Sequence, residues 1–156
     1  MAATLTSRRV QAAFDGGRAR AFLYGHSFCG NPLGAAVARE VLAVYRDERV
    51  IEGVPARAEV LRDLVARVQG DPSLRGLVRD ARALGVIAAF DLRDGGADGY
   101  TASIGWRVYD EARRRGAYLR PLGNVVYLTP ALNVPLDDLG RLAAIVEESL
   151  RAVVAG

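Results

Sequence analysis

The chain has 156 residues, of which 51% are hydrophobic and 25% charged, with a net charge of +3. That length is enough for one modest domain with a real core, and the balance excludes a disordered or fibrous chain. No apolar run reaches the ~20 residues of a membrane span, and no basic-then-apolar leader opens the chain.

Met1 to Phe14 reads as a strand and then a short helix. Ala2 to Thr6 is short and partly β-branched, and Ser7 is placed to cap the helix. Asp15-Gly16-Gly17 is a flexible turn. Phe22 to Asn31 is a loop in which Gly25 and Gly30 free the backbone on either side of the small hydroxyl of Ser27. Asn31 reads as a helix N-cap with Pro32 at the first helical position. The helix it starts is expected to run to about Arg46. Leu33, Ala36, Val37, Val41, Val44 and Tyr45 make an apolar stripe on it that is expected to face the core. Spare backbone N–H groups and a hydroxyl near a helix start suit a phosphate.

A second helix is expected from Pro55, after a break near Gly53, with Ala58, Leu61, Leu64, Val65 and Val68 on its apolar face. Gly70 ends it and Asp71-Pro72 prevents its return. Val86 to Phe90 is short, apolar and bounded by Gly85, which reads as a buried strand. Asp94 to Gly99 reads as a solvated loop. Asp94 and Asp98 lack the spaced ligands and closing Glu of a calcium loop, so no metal is expected. Thr101 is expected to cap a helix that runs to about Arg115 and stops at Gly116. Ile104, Val108 and Ala112 lie on its core face. Trp106 and Tyr109 lie on another face, a candidate subunit interface.

Ala117 to Pro130 reads as two short strands around a Gly123-Asn124 turn. Arg120 stands at the end of the first strand, before Pro121. The last helix begins at Pro135, with Asp137 and Asp138 in its first turn and Leu136, Leu139, Ala143, Val146, Leu150 and Val153 facing the core. Helices, strands, helix, hairpin and helix in that order make an α+β domain.

All 21 basic residues are arginines. Their densest run, Arg113 to Arg115, ends a helix, where cations suit the dipole, so nucleic acid is not an expected partner. The single Cys29 excludes an internal disulfide and fits a reducing cytoplasm.

Two stretches carry chemistry. Gly25, His26, Ser27, Phe28, Gly30, Asn31, Pro32 and Leu33 match one motif of the class III, fold-type I aminotransferases, with Tyr24 where that family usually has His. Arg120, Pro121, Gly123, Val126, Tyr127, Leu128 and Pro130 match a second, with Ala131 where many relatives have another Pro. Arg82 and Gly85 match a third, at the start of the small domain's sheet. With these motifs the chain resembles the C-terminal portion of that family. The resemblance implies pyridoxal 5'-phosphate as cofactor. Ser27, with His26 and Gly25, would hold its phosphate across a dimer interface, while Arg120 would bind the substrate carboxylate beside Tyr127. It also implies that residues 1–31 are the end of a large cofactor-binding domain and its interface loop, and residues 32–156 the small domain. The implied reaction moves an amino group from S-adenosylmethionine to 8-amino-7-oxononanoate in biotin biosynthesis.

Such enzymes anchor the cofactor on a lysine amine. The chain has no lysine, and a guanidinium is neither deprotonated nor nucleophilic, so Arg is no substitute. By itself the chain is expected to be inactive. It would act in a homodimer of a longer product or beside a lysine-bearing large-domain chain. A class III enzyme acting on an omega-amino acid is one alternative. A non-catalytic interaction module that keeps the small-domain fold is another.

Overall fold

The computed structural model describes residues 2–95 and 99–155. Contacts divide the chain into two compact units, Met1–Glu48 and Arg49–Gly156.

In the first unit the Ser7 hydroxyl accepts from Val10 N at 3.4 Å and caps a short helix, α1 (Arg8–Gln11). The strand expected at Ala2 to Thr6 is not there: these residues are exposed and without regular structure. A strand exists only where a neighbour takes its N–H and C=O groups, and none does so among the described residues. Gly16 and Gly17 turn the chain at φ +101° and +90°. Helix α2 (Pro32–Asp47) begins as expected, with Asn31 Oδ1 accepting from Leu33 N at 3.0 Å and Pro32 in the first turn. Its apolar stripe, however, faces no core. No residue of α2 is buried, and Leu33 and Val37 are 77% and 65% exposed. A stripe is covered only by an apposed apolar element, and the first unit supplies none.

The second unit holds the core. Helix α3 (Val54–Gly70) buries Ala58, Leu61, Leu64 and Val68, with Val65 packed at the edge. Asp71 then caps a 3₁₀ turn, Pro72–Leu74, through Ser73 N at 2.9 Å. The single strand expected at Val86 to Phe90 is one arm of a hairpin. Strands β1 (Val78–Leu84) and β2 (Ile87–Leu92) pair antiparallel, with Leu84 opposite Ile87 and Gly85 at φ +55° in the turn. β1 has only Ala81 buried, because it is an edge strand with a polar face. On that face Arg82 donates to Asp80 at 2.8 Å and, across the strands, to Asp91 at 3.0 Å. β2 is central, and its Ala88, Phe90 and Leu92 point into the core.

Helix α4 (Ile104–Arg114) starts later than expected. Thr101 is not its cap but lies in a 3₁₀ turn, Gly99–Thr101. The cap comes from far back in the chain: the Asp94 carboxylate accepts from Ser103 N at 2.8 Å and Ile104 N at 3.1 Å. The solvated loop expected there, Asp94 to Gly99, falls partly on residues 96–98, Asp98 among them, which lie outside the described residues. Ile104, Val108 and Ala112 are buried as expected, and Gly116 ends the helix at φ +92°.

The Gly123-Asn124 turn forms, with Leu122 and Val125 exchanging both backbone bonds at 2.8 and 2.9 Å. Only its second arm becomes a strand, β3 (Val125–Leu128), which pairs antiparallel with β2. The expected arm Ala117 to Arg120 is not a strand: Pro121 interrupts it without an N–H, and β3 takes β2 as its partner instead. The sheet order is therefore β1-β2-β3. Helix α5 (Leu136–Ala155) packs on α3 and α4. It buries Leu139, Ala143, Val146, Leu150 and Val153, while Leu136, at its free end, is 46% exposed rather than in the core.

A charge network ties α5 to α3 and to the turn after it. Buried Glu147 accepts from Arg67 Nε at 2.8 Å and Arg151 Nη2 at 2.6 Å, and Arg151 Nε reaches Asp71 at 2.7 Å. Hydrogen bonds from Ser73, then Arg151, lower the Asp71 carboxyl from 3.8 to about 2. A lowered carboxyl stabilises the fold above its unfolded value and loses that contribution as pH falls through its folded value. Asp71→Asn is therefore expected to lower the melting temperature at pH 7. The deficit should shrink below about pH 3.8 and be lost as the pH falls through about 2. Paired melts across that range check this, and a deficit independent of pH would assign the effect to something other than charge.

A second prediction comes from the backbone. A Cβ on Gly105 would overlap the Gly123 carbonyl oxygen and stand 2.8 Å from Pro121 Cβ. Gly105→Ala is expected to cost about 1–3 kcal/mol in denaturant unfolding, as overpacking does. An unchanged midpoint would show that the turn yields freely.

Candidate functional site

The first group of candidate residues lies in the loop before α2. Residues 27–30 form a turn closed by Cys29 N to His26 O at 2.9 Å and Asn31 N to Phe28 O at 3.4 Å. His26 Nδ1 accepts from Phe28 N at 3.2 Å, so a neutral ring carries its proton on Nε2 and presents it outward. Gly30, at φ +69°, turns the chain so that Asn31 can cap α2. Ser27 is exposed, and its hydroxyl has no hydrogen-bond partner among the described residues. The space over Gly25 is open.

Rings alternate along the same segment. Phe22, Tyr24, His26 and Phe28 succeed one another at 5.8, 6.5 and 6.0 Å, and Phe14 stands 5.5 Å from Phe22. Phe22, Tyr24 and Phe28 are all largely exposed. A contiguous exposed aromatic strip of this kind marks an interaction surface.

A hydroxyl and an imidazole N–H are donors that suit phosphate oxygens. This loop therefore fits the phosphate end of pyridoxal 5'-phosphate. The aldehyde end of the cofactor has no amine to meet in a chain without lysine.

The second group lies in the second unit. Arg120 and Tyr127 line one cleft of about 410 Å³, together with Tyr118, Thr129, Pro130 and Leu142. Burial alternates from Ala117 to Pro121: Ala117, Leu119 and Pro121 point inward, and Tyr118 and Arg120 outward. On β3, Val126 and Leu128 fill the core while Tyr127 is half-buried on the other face. The turn between Arg120 and Tyr127 is what brings them together. Arg67, Arg82 and Arg151 are engaged by carboxylates of the chain. Arg120 has no such partner among the described residues, so its guanidinium fork is available to an external carboxylate.

Sequence reasoning missed Tyr118. The signal was there in its i−2 spacing from Arg120 on an extended segment, which puts both on one face. On the face of α4 expected to be a subunit contact, Trp106 is 52% exposed. Tyr109 packs at the core's edge, between Trp106 and Tyr118.

A three-stranded antiparallel sheet packed by helices, preceded by a hydroxyl-bearing loop and a long helix, is part of the fold of a pyridoxal-phosphate transferase. The family model described as aminotransferase class-III matches residues 1–150, and the chain belongs to that family. It is 34% identical, over 167 aligned positions, to the adenosylmethionine-8-amino-7-oxononanoate aminotransferase of Geobacter sulfurreducens, covering 100% of this chain and 35% of that one. It is 37% identical to the protein of the same name in Nitratidesulfovibrio vulgaris, covering 98% of this chain and 29% of that one. The crystal structure of the Methanocaldococcus jannaschii protein of that name superposes with a TM-score of 0.82 at 23% identity, over 94% of this chain and 34% of that one. The chain thus spans about a third of the length of these relatives.

If the loop stands as free as it does here, one thiol per chain, that of exposed Cys29, should react fully with an aromatic disulfide reagent under native conditions. A thiol that reacts only after unfolding would show the loop to be covered.

Proposed function

We propose that the chain is the C-terminal part of a pyridoxal-phosphate aminotransferase that moves an amino group from S-adenosylmethionine to 8-amino-7-oxononanoate in biotin biosynthesis, in the cytoplasm. The observation that carries this is the unpaired Arg120 beside Tyr127 in one cleft, in a chain whose relatives at 34% and 37% identity bear that enzyme's name.

Residues 1–31 belong to the end of the large domain and its interface loop, and residues 32–156 to the small domain. The rest of the site, including the lysine, comes from a large domain, in a homodimer of a longer product or on a separate chain. Ser27, with His26 and Gly25, holds the cofactor phosphate of the other subunit. When bound, the cofactor supplies the electron sink for amino transfer. Arg120 takes the substrate carboxylate in two parallel charged hydrogen bonds, which orients the far end of the molecule, and Tyr127 packs beside it.

The test grafts this chain onto the Geobacter relative in place of the third it matches. The chimera should transfer the amino group between the two named substrates, and the chain alone should not. Arg120→Ala should cost about 1.5–3 kcal/mol of substrate binding, roughly a 10- to 150-fold higher KM for the carboxylate substrate. Ser27→Ala should weaken cofactor retention instead, read from cofactor absorbance after dialysis. An unchanged KM removes Arg120 from its role. Activity confined to omega-amino acids would replace the acceptor proposed here.

A further inference from the structure

Tyr118 is 77% exposed, and its hydroxyl has no hydrogen-bond partner among the described residues. Burial therefore does not explain it. Its ring is nevertheless braced. It stands edge-on to Tyr109 at 5.6 Å and 88°, and Tyr109 stands edge-on to Trp106 at 5.4 Å and 78°. Tyr109 is rooted on α4 against the edge of the core. Such edge-to-face pairs fix orientation as well as adding contact. The free end of this braced row opens into the cleft that holds Arg120. With Pro130 and Leu142, the Tyr118 ring gives that cleft its apolar lining.

A guanidinium beside a fixed aromatic face suits an acid whose carboxylate is attached to a run of methylenes. We infer that Tyr118 is a specificity-determining residue, packing along the aliphatic chain of the acid that Arg120 holds, so that the site favours acids with several methylenes over short ones. This rests on the reading of Arg120 as the carboxylate site. The braced geometry adds to it, because a ring already held in place loses little freedom when it binds.

The test measures binding of straight-chain carboxylates, acetate to octanoate, to the chain by calorimetry. Emission of Trp106, the sole tryptophan, is a second readout. In the wild type, affinity should rise about fourfold per added methylene over the first few, as expected for chain leaving water. Tyr118→Ala should flatten this to less than twofold per methylene while leaving acetate unchanged, and Tyr118→Phe should keep the slope. Arg120→Ala should weaken every acid, acetate included. If Arg120→Ala weakens all acids but Tyr118→Ala keeps the wild-type slope, the inference is overturned and the carboxylate reading stands. If Arg120→Ala changes nothing, the carboxylate reading fails and takes the inference with it. A wild-type chain with no dependence on acid length overturns the inference outright.

Discussion

The geometry around Arg120 depends on a place where three stretches of backbone meet without side chains between them. A Cβ on Gly123 would overlap the Gly99 carbonyl and stand 2.7 Å from Tyr100 Cα, and one on Gly105 would overlap the Gly123 carbonyl. The 3₁₀ turn, the first turn of α4 and the turn before β3 thus lie in direct contact. Gly123 also adopts φ +57°, where a side chain is strained whatever the space. Hydrogen bonds lock the same point. Asn124 N donates to Gly99 O at 3.3 Å, Leu92 N to Asn124 O at 2.8 Å, and the Asn124 amide to Leu92 O at 3.2 Å. The buried Asn124 side chain is thereby partnered, as a polar group in a core must be. Pro121 is pressed between Gly105 and the turn, so the residue before it has little freedom of placement.

Around that fixed point the arginines divide into two kinds. Arg67 and Arg151 converge on Glu147, and Arg151 also reaches Asp71, so their charge is used to hold helices together. Arg82 spans the hairpin. These pairs are partly exposed, and each contributes modestly on its own. Their effect is geometric: they hold α3 and the turn after it to α5, and β1 to β2. Arg120 sits outside this network, on the extended segment before the Gly123-Asn124 turn, with its charge uncompensated by the described residues. A cation left unpaired on a well-ordered element is the arrangement that recognises an external anion without first breaking an internal pair.

Much of the second unit was legible in the sequence, because its periodicity answers to a core within the same unit. The stripes on α3 and α5, the Asn31-Pro32 start of α2 and the Gly123-Asn124 turn each rest on residues close together in the chain. The failures have one cause, which is that local pattern does not name its partner. The α2 stripe has the same spacing as the α3 stripe, yet nothing in its unit covers it. Ala117 to Arg120 looks like a strand, but Pro121 closes it without an N–H and β3 pairs with β2 rather than with it. β1 hides behind its arginines and aspartates, because an edge strand need bury only one face. The cap of α4 comes from Asp94, nine residues ahead of Ser103, beyond the reach of any rule that inspects adjacent positions. At the candidate site, the motif singles out Arg120 and Tyr127, and the structure places both in one cleft. Tyr118 lies outside that motif, and only its i−2 spacing from Arg120 on an extended segment places it on the same face.

The contrast between the units bears on how the candidate groups work. The second unit has a closed core and offers a cleft whose walls it makes itself. The first buries no side chain in either of its helices and offers a hydroxyl, an imidazole and a row of rings. Exposed rings in such number are costly to leave in water and inexpensive to cover, since each already has its neighbour as a partner in register. A hydroxyl such as that of Ser27 binds phosphate well only when water is excluded, because in water it exchanges one hydrogen bond for another at little net gain. Covering the strip would therefore do two things at once: remove apolar surface from water and dry the surroundings of Ser27. Arg120 differs, since Tyr118, Tyr127 and Leu142 of its own unit already wall the cleft around it. The loop's rings thus lack a cover that the first unit does not supply, whereas the walls of the Arg120 cleft are built within the second unit.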